Sequence, residues 1–215
     1  MQSSPSPVMA AVPVFPLPDY HLFPGTVAPL HIFETRYRQM IQDMMDGPGR
    51  LVMAPYRPDG PRVESGPSLP EVGTLTEILQ TEELPDGRWL ILLLALARVE
   101  MAEVPSGRLY RRVDATLLSE PDVRGEAATA LRERLIAALH ERTSGDWDIA
   151  PEQAALGRLA DVLLHALPLD PVRRERAYTE RDPVARAAMA LAWHDLAVSL
   201  DDEDGSVSGP AADFS

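Results

Sequence analysis

The chain of 215 residues contains no cysteine, and all twenty of its basic residues are arginine. The missing thiols exclude disulfides, thiolate nucleophiles and cysteine-ligated zinc. The missing amines exclude the Gly-Lys-Ser/Thr of a phosphate loop, Schiff-base chemistry and a Ser-Lys dyad. Long apolar runs are also scarce. The longest, Trp89–Ala97, is bounded by Arg88 and Arg98 and falls far short of the roughly 20 residues a membrane-spanning helix needs. The first eleven residues carry no basic segment, and the first arginine is Arg36, so no signal peptide is expected. These features predict a soluble, cytoplasmic protein without membrane association.

Positive charge is in deficit along the whole chain, which is −13 in sum. Residues 1–124 hold eleven arginines against sixteen acids, residues 125–200 nine against twelve, and the last fifteen residues five acids and no base. Phosphate backbones need a basic field, so nucleic acid is not an expected partner. The five histidines (His21, His31, His140, His165, His194) offer no pair spaced three or four apart, and no metal site is expected. No Gly-x-Ser-x-Gly occurs, since Gly205-Ser206-Val207-Ser208-Gly209 has valine at the nucleophile position. Glu82-Glu83 beside a turn reads as solvated charge and not as an acid/base pair. No catalytic residue and no cofactor is predicted.

What is present is a change of period along the chain. Val12–Leu17, with alternating prolines, suits an edge strand. Leu22-Phe23-Pro24-Gly25 is a turn signal, and Val27–Ile32 a short strand. Glu34–Asp46 places Tyr37, Met40, Ile41 and Met44 at helical spacing. Leu51–Ala54 is an apolar strand, residues 57–70 a Pro/Gly-rich loop. Val72–Thr81 and Trp89–Val99 form a hairpin around Pro85-Asp86-Gly87, with Asp-Gly supplying the positive φ values. Tyr110–Leu118 alternates as a further strand. After residue 120 the chain reads as helical. Stripes run through Leu131, Leu135, Ala138 and Leu139, through Leu156, Leu159, Leu163 and Leu167, and through Val184, Ala187, Leu191 and Val198. Pro151, Asp170-Pro171 and Asp182-Pro183 are helix-opening signals. The expected organisation is α+β: a β-rich domain over 12–120 and a helical bundle over 121–200. Residues 1–11 and the acidic 201–215 are expected to be disordered.

Val12-Pro13-Val14-Phe15-Pro16-Leu17, Leu22-Phe23-Pro24-Gly25 and Pro29-Leu30-His31-Ile32-Phe33-Glu34-Thr35-Arg36-Tyr37 resemble the opening of the Lon protease N-terminal, substrate-binding domain, in the form of its stand-alone bacterial members. Val72-Gly73-Thr74, Leu84-Pro85-Asp86-Gly87 and Arg98 follow in the family's order, and the resemblance spans roughly residues 12–199. It implies a PUA-like pseudo-barrel followed by a C-terminal helical bundle. It also implies recognition of unfolded or damaged polypeptide, with a separate protease as a further partner, and no ATPase or peptidase in this chain. Ala95 stands where the family has glycine three residues before Arg98, so a strand bulge there is expected to be lost.

Methionine and aromatic side chains adapt to varied partners. The candidate peptide-binding residues are therefore Phe33, Tyr37, Met45, Met53 and Tyr56. Tyr37, like Met40, also sits on the apolar stripe and suits packing onto the barrel, whereas Met45 and Tyr56 should be exposed. Glu34 and Arg36 are expected to brace their helix. Binding would be weak and apolar, in a cleft between barrel and bundle or on an exposed Met/aromatic patch, and homo-oligomerisation would add avidity. Arg108, Tyr110, Arg111 and Arg112 form a basic-aromatic cluster that reads as a solvated strand around one buried tyrosine. The alternative function is RNA binding by a PUA-like barrel, with affinity that falls steeply as salt is added.

Overall fold

Strand-forming segments dominate the chain up to about residue 120, and segments with 3.6-residue periodicity follow. The computed structural model describes residues 8–143 and 153–205. Pro151 and residues 206–215 of the expected tail lie outside the described residues. The elements are β1 (Val8–Pro18), β2 (Val27–Ile32), α1 (Thr35–Met44), β3 (Arg50–Tyr56), β4 (Arg62–Val63), β5 (Gly66–Pro67), β6 (Val72–Glu83), β7 (Trp89–Val104), β8 (Arg112–Leu117), α2 (Glu126–Arg142), α3 (Leu156–Ala166), α4 (Pro171–Thr179) and α5 (Pro183–Gly205). The fold class is α+β and β-rich.

Six strands follow the order β2-β7-β6-β3-β1-β8, and β7 also pairs with β8. The long β7 closes the ring: its first half holds β2 and its second half β8, while β6 runs along both. The result is a five-stranded pseudo-barrel with β2 on its flank. Side chains fill it by parity. Val12 and Val14 of β1, Val52 and Ala54 of β3, Leu75, Val99, Val113 and Ala115 form the barrel interior. The intervening Phe15, Leu51 and Met53 point the other way and join Tyr37, Met40, Ile41 and Met44 of α1 in a second core. Strands β1 and β3 are thus buried on both faces, which explains why β3 lacks alternation in sequence.

The strands differ from the sequence expectations in several respects. First, β1 is not an edge strand. It lies between β3, parallel, and β8, antiparallel. Its prolines are tolerated because of where their missing donors fall. The Val14 amide donates toward β8, to the Arg111 carbonyl, so by alternation Pro16 and Pro18 face the same way. Both lie beyond the last β8 pair, Pro13–Arg112. Pro13 faces β3, one residue before that pairing begins at Val14. Val8–Ala11, inside the segment expected to be disordered, are part of β1, because β8 pairs with Val8 and Met9; residues 1–7 of that segment lie outside the described residues. Second, the β6–β7 bulge survives with Ala95. Leu75 faces Ala97 while Thr76 faces Ala95. Ala95 keeps a negative φ and exchanges backbone bonds with Gly25 and Thr26 instead. Third, in the β6–β7 turn only Gly87 has positive φ, at 77°. Asp86 instead accepts from the Arg88 amide at 3.1 Å.

The described residues divide into a β-rich unit, running through Pro121 and including Pro171–Arg181, and a helical unit, Asp122–Asp170 with Asp182 onward. Residues 171–181, expected in the bundle, therefore belong with the strands. In the helical unit α2, α3 and α5 pack on one another through Leu135, Leu139, Leu159, Leu163, Ala187 and Leu191. Asp182 caps α5 as expected, accepting from the Val184 amide at 3.0 Å. The α5 stripe is offset from the expected one: Val184 is exposed, while Arg186 and His194 are buried. Arg186 Nε lies 3.0 Å from Asp161 Oδ1, both side chains being essentially inaccessible. Helix α5 also continues to Gly205, so it overruns the start of the expected tail at residue 201. No described helix is long and apolar enough to cross a membrane.

Candidate functional site

Helix α4 carries three arginines and few apolar residues, so its own propensity would hardly hold it in place. A buried polar cluster does so. Arg98, 3% exposed, donates from Nε to the Tyr178 carbonyl at 2.8 Å and has Glu120 Oε1 at 3.6 Å. Its guanidinium lies over the rings of Phe23 and Tyr178, at 5.9 and 5.7 Å. Thr74 Oγ1 donates to the Leu22 carbonyl at 2.7 Å. That uses its one proton, so the Tyr178 hydroxyl, 2.7 Å away, is the donor to Thr74. Gly73 is required beside it. A Cβ there would lie 2.7 Å from Val52 Cγ1 and from Met101 Sδ. The Leu-Phe-Pro-Gly, Val-Gly-Thr and Arg98 motifs, far apart in sequence, thus meet around Tyr178.

Anchoring α4 opens a cleft of about 510 Å³ within the β-rich unit, a size typical of ligand sites. The ends of β1 and β3 supply Asp19, His21, Tyr56 and Arg57. The loop over residues 57–70 supplies Pro61, Leu69 and Pro70. One face of α4 supplies Pro171, Val172, Glu175, Tyr178 and Thr179 at spacings of three and four. Val172 is 74% exposed, an apolar side chain in water at the rim. Arg57 donates to Glu175, joining the loop to the helix. Asp19 adopts positive φ (51°), and its carbonyl lies 3.3 Å from His21 Nδ1. The His21 ring meets Tyr178 edge-on at 5.1 Å.

Burial, the largest influence on it, pulls the His21 pKa below the ordinary imidazole value. The unfolded chain therefore binds the extra proton more readily, and stability contributed by neutral His21 is lost as pH falls through the imidazole range. Melting temperature should drop between pH about 7.5 and about 5.5, and His21→Gln should flatten that decline. The depressed carboxyls of Glu103, held by Arg111, and Asp86, held by the Arg88 amide, act at lower pH and do not blur the window. An unchanged slope in His21→Gln would disprove the assignment.

Residues 11–193 match the family model of the ATP-dependent protease La (LON) substrate-binding domain. The chain belongs to this Lon domain family. Among curated relatives it is 23% identical over 207 residues to a Lon protease of Rhizobium meliloti, covering 93% of this chain and 26% of that protein. It is 26% identical over 165 residues to a Lon protease of Syntrophomonas wolfei, covering 74% and 20%. The chain thus spans about a quarter of the length of these relatives. Its fold is shared with the N-terminal domain of a Mycobacterium avium complex Lon protease (TM-score 0.65, 20% identity, 86% of this chain and 98% of that one). It is also shared with a Lon N-terminal domain protein from Xanthomonas campestris (TM-score 0.57, 21% identity, 86% and 99%).

Within this Lon domain the five candidate peptide-binding residues do not come together. Tyr56 lines the cleft. Phe33 and Met45 are exposed, at 63% and 53%, but lie outside it. Phe33 neighbours His31 at 6.1 Å, and Met45 ends α1. Tyr37 and Met53 are core residues, because α1 lies on the outer face of β1 and β3. Burial pushes the Tyr37 hydroxyl up to about 12. Glu34 and Arg36 brace each other, Arg36 Nε donating to Glu34 at 3.0 Å. In the basic-aromatic cluster the cations have partners inside the protein. Arg111 grips Glu103 and donates to the Pro67 carbonyl at 2.6 Å. Arg112 donates to the Ala11 carbonyl at 2.6 Å, and Arg108 lies 3.6 Å from Asp43. Tyr110 is buried with its hydroxyl on Asp43. The cleft residues missed in sequence are chiefly those of α4. Their one signal was Val172, an isolated apolar residue before Arg173-Arg174-Glu175-Arg176.

Proposed function

We propose that this chain is a cytoplasmic, non-catalytic recognition module that binds unfolded or damaged polypeptide and presents it to a separate protease. The observation that carries the reading is the α4 cleft. Its walls combine prolines, Leu69, Val172 and two tyrosines with a few ionisable groups, as a site for varied apolar segments requires. Membership of a family described as substrate-binding supports it. So does the absence of lysine and cysteine, which removes much of the chemistry of bond making. RNA binding gains no support, since the clustered arginines already have protein partners.

Carboxymethylated, unfolded α-lactalbumin should bind the protein, and the native folded form should not. Val172→Asp should weaken that binding about fivefold or more without lowering thermal stability, the side chain being exposed. Equal binding of folded and unfolded forms would remove the proposal.

A further inference from the structure

We infer that the cleft selects extended apolar segments carrying one cationic side chain, and that Arg57 occupies the cation's place until such a segment arrives. This rests on the polypeptide-binding reading and specifies its ligand. The described lining includes three carboxylates, Asp19, Asp59 and Glu175, and one guanidinium, Arg57. His21 also lines the cleft, and burial pulls its pKa below the ordinary imidazole value, which favours the neutral ring. Glu175, then Asp59 and Asp19, all favour the charged form of Arg57. Arg57 is ion-paired with Glu175, and Asp19 and Asp59 line the same cleft, so the acids there outnumber the one guanidinium that the protein itself supplies.

Arg57 is poorly secured there. Its side chain is 65% exposed, so its ion pair with Glu175 contributes little to stability and is readily exchanged. Residues of the loop beyond it, Asp59, Gly60 and Pro61, also line the cleft, so releasing Arg57 frees the rim on that side. Tyr56 and Tyr178 offer ring surface that suits a guanidinium or the methylene stem of a lysine. Val172, Leu69 and the prolines take apolar side chains on either side. Arg174 acts on Tyr20 and His21 but does not line the cleft. An entering cation thus meets net negative charge once it displaces Arg57.

The test is fluorescence anisotropy with a short labelled peptide of alanine, leucine and proline bearing one central arginine, against the same peptide with glutamine there. The arginine peptide should bind about threefold tighter at low salt, and the advantage should vanish at high salt. Glu175→Gln should erase the difference between the peptides. Arg57→Gln should strengthen binding of the arginine peptide about threefold and leave the glutamine peptide unchanged. Indifference of the wild type to the two peptides, or weaker arginine-peptide binding by Arg57→Gln, would overturn the cation rule. If unfolded α-lactalbumin still binds in that case, the general reading stands. If it does not, both fall.

Discussion

Arg98→Met should cost the β-rich unit about 3–5 kcal/mol, the usual effect of dismantling a buried charged network. For a chain of this size that lowers the melting temperature by roughly 10 °C. The effect is large because one side chain ties three segments. Its Nε holds the Tyr178 carbonyl, its charge faces Glu120, and its plane covers Phe23. Methionine keeps the stem but leaves the Tyr178 carbonyl beside it without its donor and takes the cation from Glu120, whose side chain is 28% exposed. Lysine should rescue little, since a point charge cannot reproduce the fork or stack across both rings. Tyr178→Phe is the contrasting case. It removes only the bond to Thr74, which keeps its Leu22 partner, and should cost about 1 kcal/mol. Because α4 carries one wall of the cleft, Arg98→Met should also lose unfolded-polypeptide binding at temperatures where the protein remains folded. Chemical denaturation of the two variants side by side checks the ranking. Equal losses would mean that Arg98 does not organise the cluster.

Asp161→Ala should destabilise the helical unit by a similar amount, about 3–5 kcal/mol. It leaves the inaccessible Arg186 guanidinium without the carboxylate 3.0 Å from its Nε. The double variant Asp161→Leu, Arg186→Met should recover most of that loss, because burying two charges cost desolvation that an apolar pair avoids. A double-mutant cycle measured by thermal melting decides this. If the double variant is as unstable as the sum of the singles, the pair is not a coupled unit.

The limits of the sequence as a guide follow from these same residues. Period-two alternation placed β6 and β8, and the apolar run before Arg98, returning from the Pro85-Asp86-Gly87 turn, placed β7. The motif residues from Val12 to Arg98 carried the family resemblance, since glycine, threonine and arginine at those positions are fixed by close packing around Tyr178. What alternation cannot express is which strands are neighbours. Nothing in Val12–Leu17 distinguishes an edge strand from one whose prolines lie past the end of its partner. Helical periodicity likewise says that residues 171–179 coil, but not that they leave the bundle to sit with the strands. Most of the cleft was illegible for that reason, Tyr56 being the exception. Tyr37 and Met53 were drawn into the candidate set by residue type alone, whereas their parity with Phe15 and Leu51 puts them under α1. Arg186 escaped notice because a charged residue in an apolar stripe looks like the stripe's edge until its partner Asp161, on another helix, is seen.

The most direct measurement is site-specific photocrosslinking to carboxymethylated α-lactalbumin. Benzoylphenylalanine replaces Val172 at the cleft rim in one variant and the equally solvent-facing Leu109, which is 61% exposed outside the cleft, in another. Strong crosslinking from position 172 and little from position 109 is the predicted result. Equal labelling at both, or labelling only away from the cleft, would contradict it.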